Sequence, residues 1–160
     1  MLELKTEHLF DLQFTAVSDP QKWFIVGDGG WGTRIIIPVA MGGTFAGPKI
    51  KGTLKVFGAD WLLIRHDSVP VPDVRMILET DDGALIHMYY SGILRLSEEE
   101  IKRVTETGEL PPETWVHTTP RFETGHEKYL WLNRVMAAAI GKLVPKDGDL
   151  HITYSIYALK

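Results

Sequence analysis

Apolar and polar residues alternate with a period of two along much of the chain, the pattern of half-buried strands. Residues 9–17 read as a first strand, broken by Ser18-Asp19-Pro20. Residues 23–26 are short and apolar, a return strand or a packed loop; 33–39 are β-branched and strand-like; and 42–48, with three glycines and Pro48, reads as a turn. Residues 52–57 and 60–66 predict two strands separated by a bend or bulge at Gly58-Ala59. Pro70 and Pro72 then punctuate the chain before 73–90, DVRMILETDDGALIHMYY, which predicts two strands joined by a tight turn at Asp82-Gly83. Residues 114–118 and 150–159 read as further strands. The stretch 128–138 fits two descriptions: Tyr129, Trp131 and Asn133 share one face of a strand, whereas Met136 to Ala139 suit a helix. One clear helix start is present. Ser97 can cap, Glu100 can complete a capping box, and the helix should run to about Thr107 and stop before Gly108 and Pro111. Its face is mostly charged, so it reads as a surface excursion between strands.

The count is nine or ten strands with frequent Gly and Pro, no βα alternation and no internal repeat. The expected class is all-β, a single antiparallel β-barrel over residues 1–160 with one short surface helix near 97–107. A β-sandwich is the structural alternative. Length and composition agree: 160 residues, 44% hydrophobic and 24% charged, fit one ordinary globular domain. The absence of cysteine excludes disulfides and thiolate metal sites. A formal charge of −4 argues against a broad nucleic-acid face. Glu3 and Glu7 interrupt the start, so a signal peptide is not expected, and no apolar run reaches a membrane span. A cytoplasmic protein with no nucleic-acid or membrane partner is the expectation. The run Gly27-Asp28-Gly29-Gly30-Trp31-Gly32 is glycine-rich, but its spacing is wrong for a nucleotide fingerprint and a strand-like segment follows it, so it reads as a turn.

The succession of pieces resembles the domain-of-unknown-function 3237 family, also called uncharacterised protein family 0311. The pieces are Gly32-Thr33-Arg34 with Pro38, GGTFAGPKIKG at 42–52, GADW at 58–61, DVRMILETDDGALI at 73–86, YYSG at 89–92, FETG at 122–125 and KYLWLN at 128–133. They stand in the family's order and cover roughly residues 9 to 158. The resemblance implies a calycin-like or allene-oxide-cyclase-like β-barrel, usually small and bacterial, and no one activity. Phe57 and Ser68 depart from its usual loop residues.

Candidate chemistry gathers around the hairpin. With a two-residue turn, Arg75, Ile77 and Glu79 share a face with Ile86, Met88 and Tyr90, and Val74, Met76 and Leu78 share the other with Leu85, His87 and Tyr89. The Arg75–Tyr90 face is expected to line the interior. The apolar outer triplet would then need cover from the helix or a partner subunit, which points to a homodimer. A three-residue turn would swap the partners and bring Tyr89 forward. An inward arginine needs a carboxylate, an aromatic face or an anionic ligand, with Asp60, Asp73 and Glu123 as the candidate carboxylates. Arg75 then closes the barrel as an Arg–Asp pair or orients a carboxylate, enolate or phenolate; placement on the surface is the third outcome. Asp60, at the glycine-marked bend beside Trp61, is the candidate proton shuttle. Tyr90 is the candidate donor to a substrate oxygen. Arg34, Trp61, Glu123, Tyr129, Trp131 and Asn133 are the candidate ligand contacts. The histidines show neither HxH nor HExxH spacing, so neither a metal nor another cofactor is expected.

Two functions fit. One is a cofactor-independent acid–base enzyme, an isomerase, cyclase, lyase or hydratase, acting on a small apolar or aromatic carbonyl or phenolic compound. The other is a ligand-binding or carrier barrel using the same cavity without turnover.

Overall fold

The computed structural model describes residues 1–107 and 109–160 and, within them, every side chain but those of Ala40, Met41 and Thr105. The described strands are β1 (Thr6–Ala16), β2 (Phe24–Asp28), β3 (Gly32–Ala46), β4 (Lys51–Arg65), β5 (Pro70–Val71), β6 (Asp73–Thr80), β7 (Leu85–Arg95), β8 (Thr114–Thr118), β9 (Arg121–Glu123), β10 (Ala137–Lys146) and β11 (Asp149–Leu159). Helix α1 (Glu98–Thr107) lies between β7 and β8, and 3-10 helices cover Pro20–Lys22 and Glu127–Arg134. Neighbouring strands follow the order β3-β1-β11-β10-β8-β7-β6-β4, and β4 pairs back to β3. This ring of antiparallel ladders closes a barrel and removes most free edges. β2 extends the sheet beyond β3, β5 beyond β4, and β9 beside β7.

Two expected breaks are absent. The expected turn at 42–48 carries the end of β3, and the two segments 52–57 and 60–66 form the single strand β4. The bend at Gly58 is a bulge within it: Leu54 pairs with Leu78, but Gly58 pairs with Met76. The extra residues of β4 loop outward, leaving Val56 and Phe57 exposed. Helix α1 starts with the expected capping box. The Ser97 N–H donates to Glu100 Oε2 at 2.7 Å, and the Glu100 N–H donates to Ser97 Oγ at 3.2 Å. The expected stop at Gly108 lies outside the described residues.

The hairpin turn corrects the sequence reading. Thr80 N–H donates to the Ala84 carbonyl at 2.9 Å, and Ala84 N–H donates to Thr80 Oγ1 at 2.9 Å. The loop is therefore Asp81-Asp82-Gly83, three residues, with Gly83 at φ +84°. Lengthening the loop by one residue exchanges the pairing: Val74 opposes Tyr90, and Arg75 opposes Tyr89. Val74, Met76, Leu78, Ile86, Met88 and Tyr90 are buried together in the core, and Arg75 faces outward. This matches the physics better than the two-residue register, because three apolar side chains now leave water in place of one arginine.

The half of the barrel near this turn is solid. Phe10 packs against Phe45 and Phe122 with ring centroids 5.4 and 5.8 Å apart. The 3-10 helix Glu127–Arg134 plugs that end with Tyr129 and Leu132, which its three-residue period brings to one side. The Tyr129 hydroxyl donates to the Asp82 carboxylate at 2.9 Å, and Lys128 Nζ reaches the same group at 2.5 Å. Lys128, Thr80 and Tyr129 hold the Asp82 carboxyl far below the usual carboxylate range.

Candidate functional site

At the other end the core is incompletely filled. A cavity of about 60 Å³ remains, lined mainly by apolar side chains such as Phe14, Val74, Leu94, Leu143 and Ile152. Three polar side chains line it: Asp60 from β4, Tyr90 from β7 and Tyr154 from β11. Register explains the meeting of Asp60 and Tyr90. Asp60 opposes Val74, which in turn opposes Tyr90, so all three share one row across β4, β6 and β7. Tyr154 comes from across the barrel. Its ring lies over Gly141, the residue directly opposite on β10, where a Cβ would meet ring atom Cε1 at 2.2 Å.

Tyr90 and Tyr154 meet edge to face with centroids 5.4 Å apart, and both line the cavity. Phe14 stacks on the Tyr154 ring at 6.4 Å. Asp60 Oδ1 accepts the backbone N–H of Asp73 at 2.9 Å. Burial pushes the Asp60 carboxyl up to about 7; the Asp73 carboxylate adds to the rise, while the Asp73 N–H and the Arg34 guanidinium oppose it. Burial raises both phenols as well, Tyr90 furthest, with the Asp60 charge a smaller contribution to each. The phenols are therefore protonated hydrogen-bond donors across the neutral range, beside a carboxyl poised between its two states.

The other sequence candidates stand elsewhere. Arg75 was expected inside; it is on the outer wall, half-exposed, 3.3 Å from the Asp73 carboxylate and with its guanidinium 5.1 Å from the Trp61 ring centroid. Trp61 belongs to that outer face. Arg34 donates to the Trp61 carbonyl, and sheet parity places it on the face opposite Ile37, which lines the cavity. Glu123 is exposed on β9 and pairs with His87 Nδ1 at 3.1 Å. Tyr129, Trp131 and Asn133 form no strand stripe. Tyr129 plugs the solid end, Trp131 lies beneath Lys49 at 6.0 Å, and Asn133 braces Thr124 through two bonds of 2.9 Å. The structure thus brings together Asp60 and Tyr90, and adds Tyr154. The alternation Ile152, Tyr154, Ile156 marks Tyr154 as sharing a face with core residues; its place opposite Gly141 depends on pairings no local pattern gives.

Two smaller expectations also meet the structure. In the glycine-rich turn, the Asp28 carboxylate accepts the N–H groups of Gly30 at 2.7 Å and Gly32 at 3.3 Å, so amides a phosphate would take are already used. The apolar triplet Val74, Met76 and Leu78 faces the core, which removes the argument it offered for a partner subunit. Among the described residues no three His, Asp or Glu lie placed to hold a metal ion, and no helix is long and apolar enough to cross a membrane.

A closed antiparallel ring, with three polar side chains at an otherwise apolar interior cavity, defines a small β-barrel protein. The chain belongs to the family described as protein of unknown function (DUF3237), whose model matches residues 4–159. It is 40% identical over 108 residues to a UPF0311 protein of Rhodopseudomonas palustris, an alignment covering 66% of this chain and 69% of that protein. The crystal structure of a conserved protein of unknown function from the same species superposes with a TM-score of 0.83 at 27% identity, covering 100% of both chains. A β-barrel-like protein of Acinetobacter baumannii gives 0.76 at 31% identity, covering 100% of this chain and 98% of that one. An enzyme from Penicillium herquei gives 0.60 at 20% identity, covering 100% and 97%, a likeness of fold alone.

Proposed function

We propose that the barrel is a cofactor-independent acid–base enzyme of the isomerase, cyclase, lyase or hydratase type, working in the cytoplasm on a small apolar or aromatic carbonyl or phenolic compound. The observation that carries this reading is the convergence of Asp60, Tyr90 and Tyr154 on one enclosed cavity. In it Asp60 moves the proton and the phenols donate to the substrate oxygen. Arg75, turned outward, takes no part. A panel of enones, lactones and phenolic ketones tests the reading. Asp60→Asn should lower turnover at least ~100-fold, Tyr90→Phe should lower it less, and Arg75→Ala should leave it near wild type. Wild-type turnover that survives Asp60→Asn would sink it.

The small closed volume favours a second reading, a non-catalytic ligand-binding barrel, since a cavity of about 60 Å³ holds only part of such a compound until the mouth opens. Saturable binding with no turnover of any panel member would select it. A homodimer also remains within the proposal. Its support is the edge strand β2, where Phe24, Ile25 and Val26 are each more than 60% exposed. Sedimentation equilibrium at micromolar loading should give twice the 18.0 kDa chain mass; a single-chain mass counts against it.

A further inference from the structure

We propose that the interior site takes neutral compounds bearing a carbonyl oxygen, that the hydroxyls of Tyr90 and Tyr154 receive this oxygen, and that carboxylates and phosphates are turned away. The proposal rests on the reading of this cavity as the substrate site, and it narrows the substrate.

Charge comes first. Among the described cavity-lining residues Asp60, Tyr90 and Tyr154 are the ionisable ones, and none of them is a cation. The two arginines nearest in the fold are committed on the outer wall, Arg75 to Asp73 and Trp61, Arg34 to the Trp61 carbonyl. The groups that act electrostatically on Asp60 are Asp73 and Arg34, and Asp60 acts in turn on Tyr90 and Tyr154. An anionic ligand would meet the Asp60 carboxylate in an apolar enclosure, with no guanidinium or ammonium inside to offset the repulsion. A neutral ligand meets no such cost.

Each phenol carries one hydroxyl hydrogen, and Tyr90 and Tyr154 both line the cavity, so they can offer donors to one oxygen placed there. That oxygen can be a carbonyl's, and in this largely apolar enclosure the bond to it is stronger than in water. The step then balances without an oxidant or reductant. The Asp60 carboxylate takes a proton from the carbon next to the carbonyl. The C–H electron pair moves into the carbon skeleton, and the negative charge settles on the oxygen held by the phenols. Asp60 then returns the same proton, to that carbon or to the far end of a conjugated system. Tyr154 is in this way a further catalytic residue, a role not expected from the sequence. The rest of the lining, Leu94, Leu143 and Leu150 among it, is apolar and suits an uncharged carbon skeleton.

Acetophenone and benzoate test this at pH 8, where the first is a neutral carbonyl compound and the second an anion of similar size. The readout is NMR of ring-labelled tyrosine in the full chain, with Tyr154→Phe, which keeps the ring over Gly141, as the variant. Acetophenone should shift the Tyr90 and Tyr154 signals saturably, benzoate at tenfold higher concentration should not, and Tyr154→Phe should weaken acetophenone at least tenfold. Benzoate binding as tightly as acetophenone overturns the proposal, as does acetophenone binding unaffected by Tyr154→Phe, or neither probe moving either ring. Enone turnover lost in Asp60→Asn alongside tight benzoate binding would retain the acid–base reading and remove this one. Acetophenone selectivity without turnover of any enone would do the reverse.

Discussion

Replacing Asp60 with Asn stabilises the protein at pH 8 and leaves its stability nearly unchanged at pH 4. The folded protein holds the Asp60 proton up to about 7, whereas the unfolded chain releases it near the ordinary aspartate value of 3.8. Between those values the folded state binds more protons, so the group's contribution falls as pH rises and levels off above about 7. A rise of that size corresponds to a total on the order of 4 kcal/mol. Asn carries no charge to desolvate, and its side-chain oxygen can still accept the Asp73 N–H. Several carboxyls act in the opposite sense. Glu7, held down by Lys160 and Lys49, and Asp82, held down by Lys128, contribute stability that is lost as pH falls. The comparison is therefore variant against wild type at each pH, by urea unfolding. A variant no more stable than wild type at pH 8 would mean that Asp60 is not held in a costly ionised state. A barrel that keeps a destabilising carboxyl in its interior has traded stability for something, and proton transfer is the use its surroundings support.

Gly141→Val costs about 3 kcal/mol, at the upper end of what overpacking a core usually does, and abolishes the site with the fold still formed. The added Cβ would stand 2.2 and 2.5 Å from two atoms of the Tyr154 ring and 2.6 Å from Val116 Cγ1. The ring is bounded by Tyr90 on one side and Phe14 on the other, so it moves into the cavity if it moves at all. Urea unfolding should show the loss with an unchanged slope, and turnover or acetophenone binding should disappear with it. A loss under about 1 kcal/mol, the size of an average point substitution, would mean that the Tyr154 ring does not lie over Gly141.

How much of this was legible differs by element. The capping box at Ser97 and the turn at Asp82-Gly83 were local chemistry and could be read directly. The turn's length could not, because a glycine with positive φ serves a two-residue and a three-residue loop alike. That single residue decided which hairpin face is buried, and with it the fate of Arg75. The alternation of Val74, Met76 and Leu78 was the better guide to the interior. Glycines misled where they serve contact between backbones. A Cβ at Gly43 would stand 1.9 Å from the Gln13 carbonyl oxygen, so the segment read as a turn is a strand packed too closely for a side chain. Tyr129, Trp131 and Asn133 alternate like a strand but wind as a 3-10 helix, with Tyr129 and Leu132 sealing the barrel end. Asp60 and Tyr90 were found as candidates because a carboxyl at a bulge and an aromatic residue in a hairpin are local features. Tyr154 was missed because its meaning depends on pairing across the barrel.

The most direct measurement is the titration of the Asp60 side-chain carboxyl carbon by NMR, assigned with Asp60→Asn. The account predicts a midpoint near 7, with the Tyr90 and Tyr154 ring signals following the same curve. A midpoint near the ordinary 3.8, with both tyrosines indifferent to it, would place Asp60 in contact with water and contradict an interior proton-transfer site.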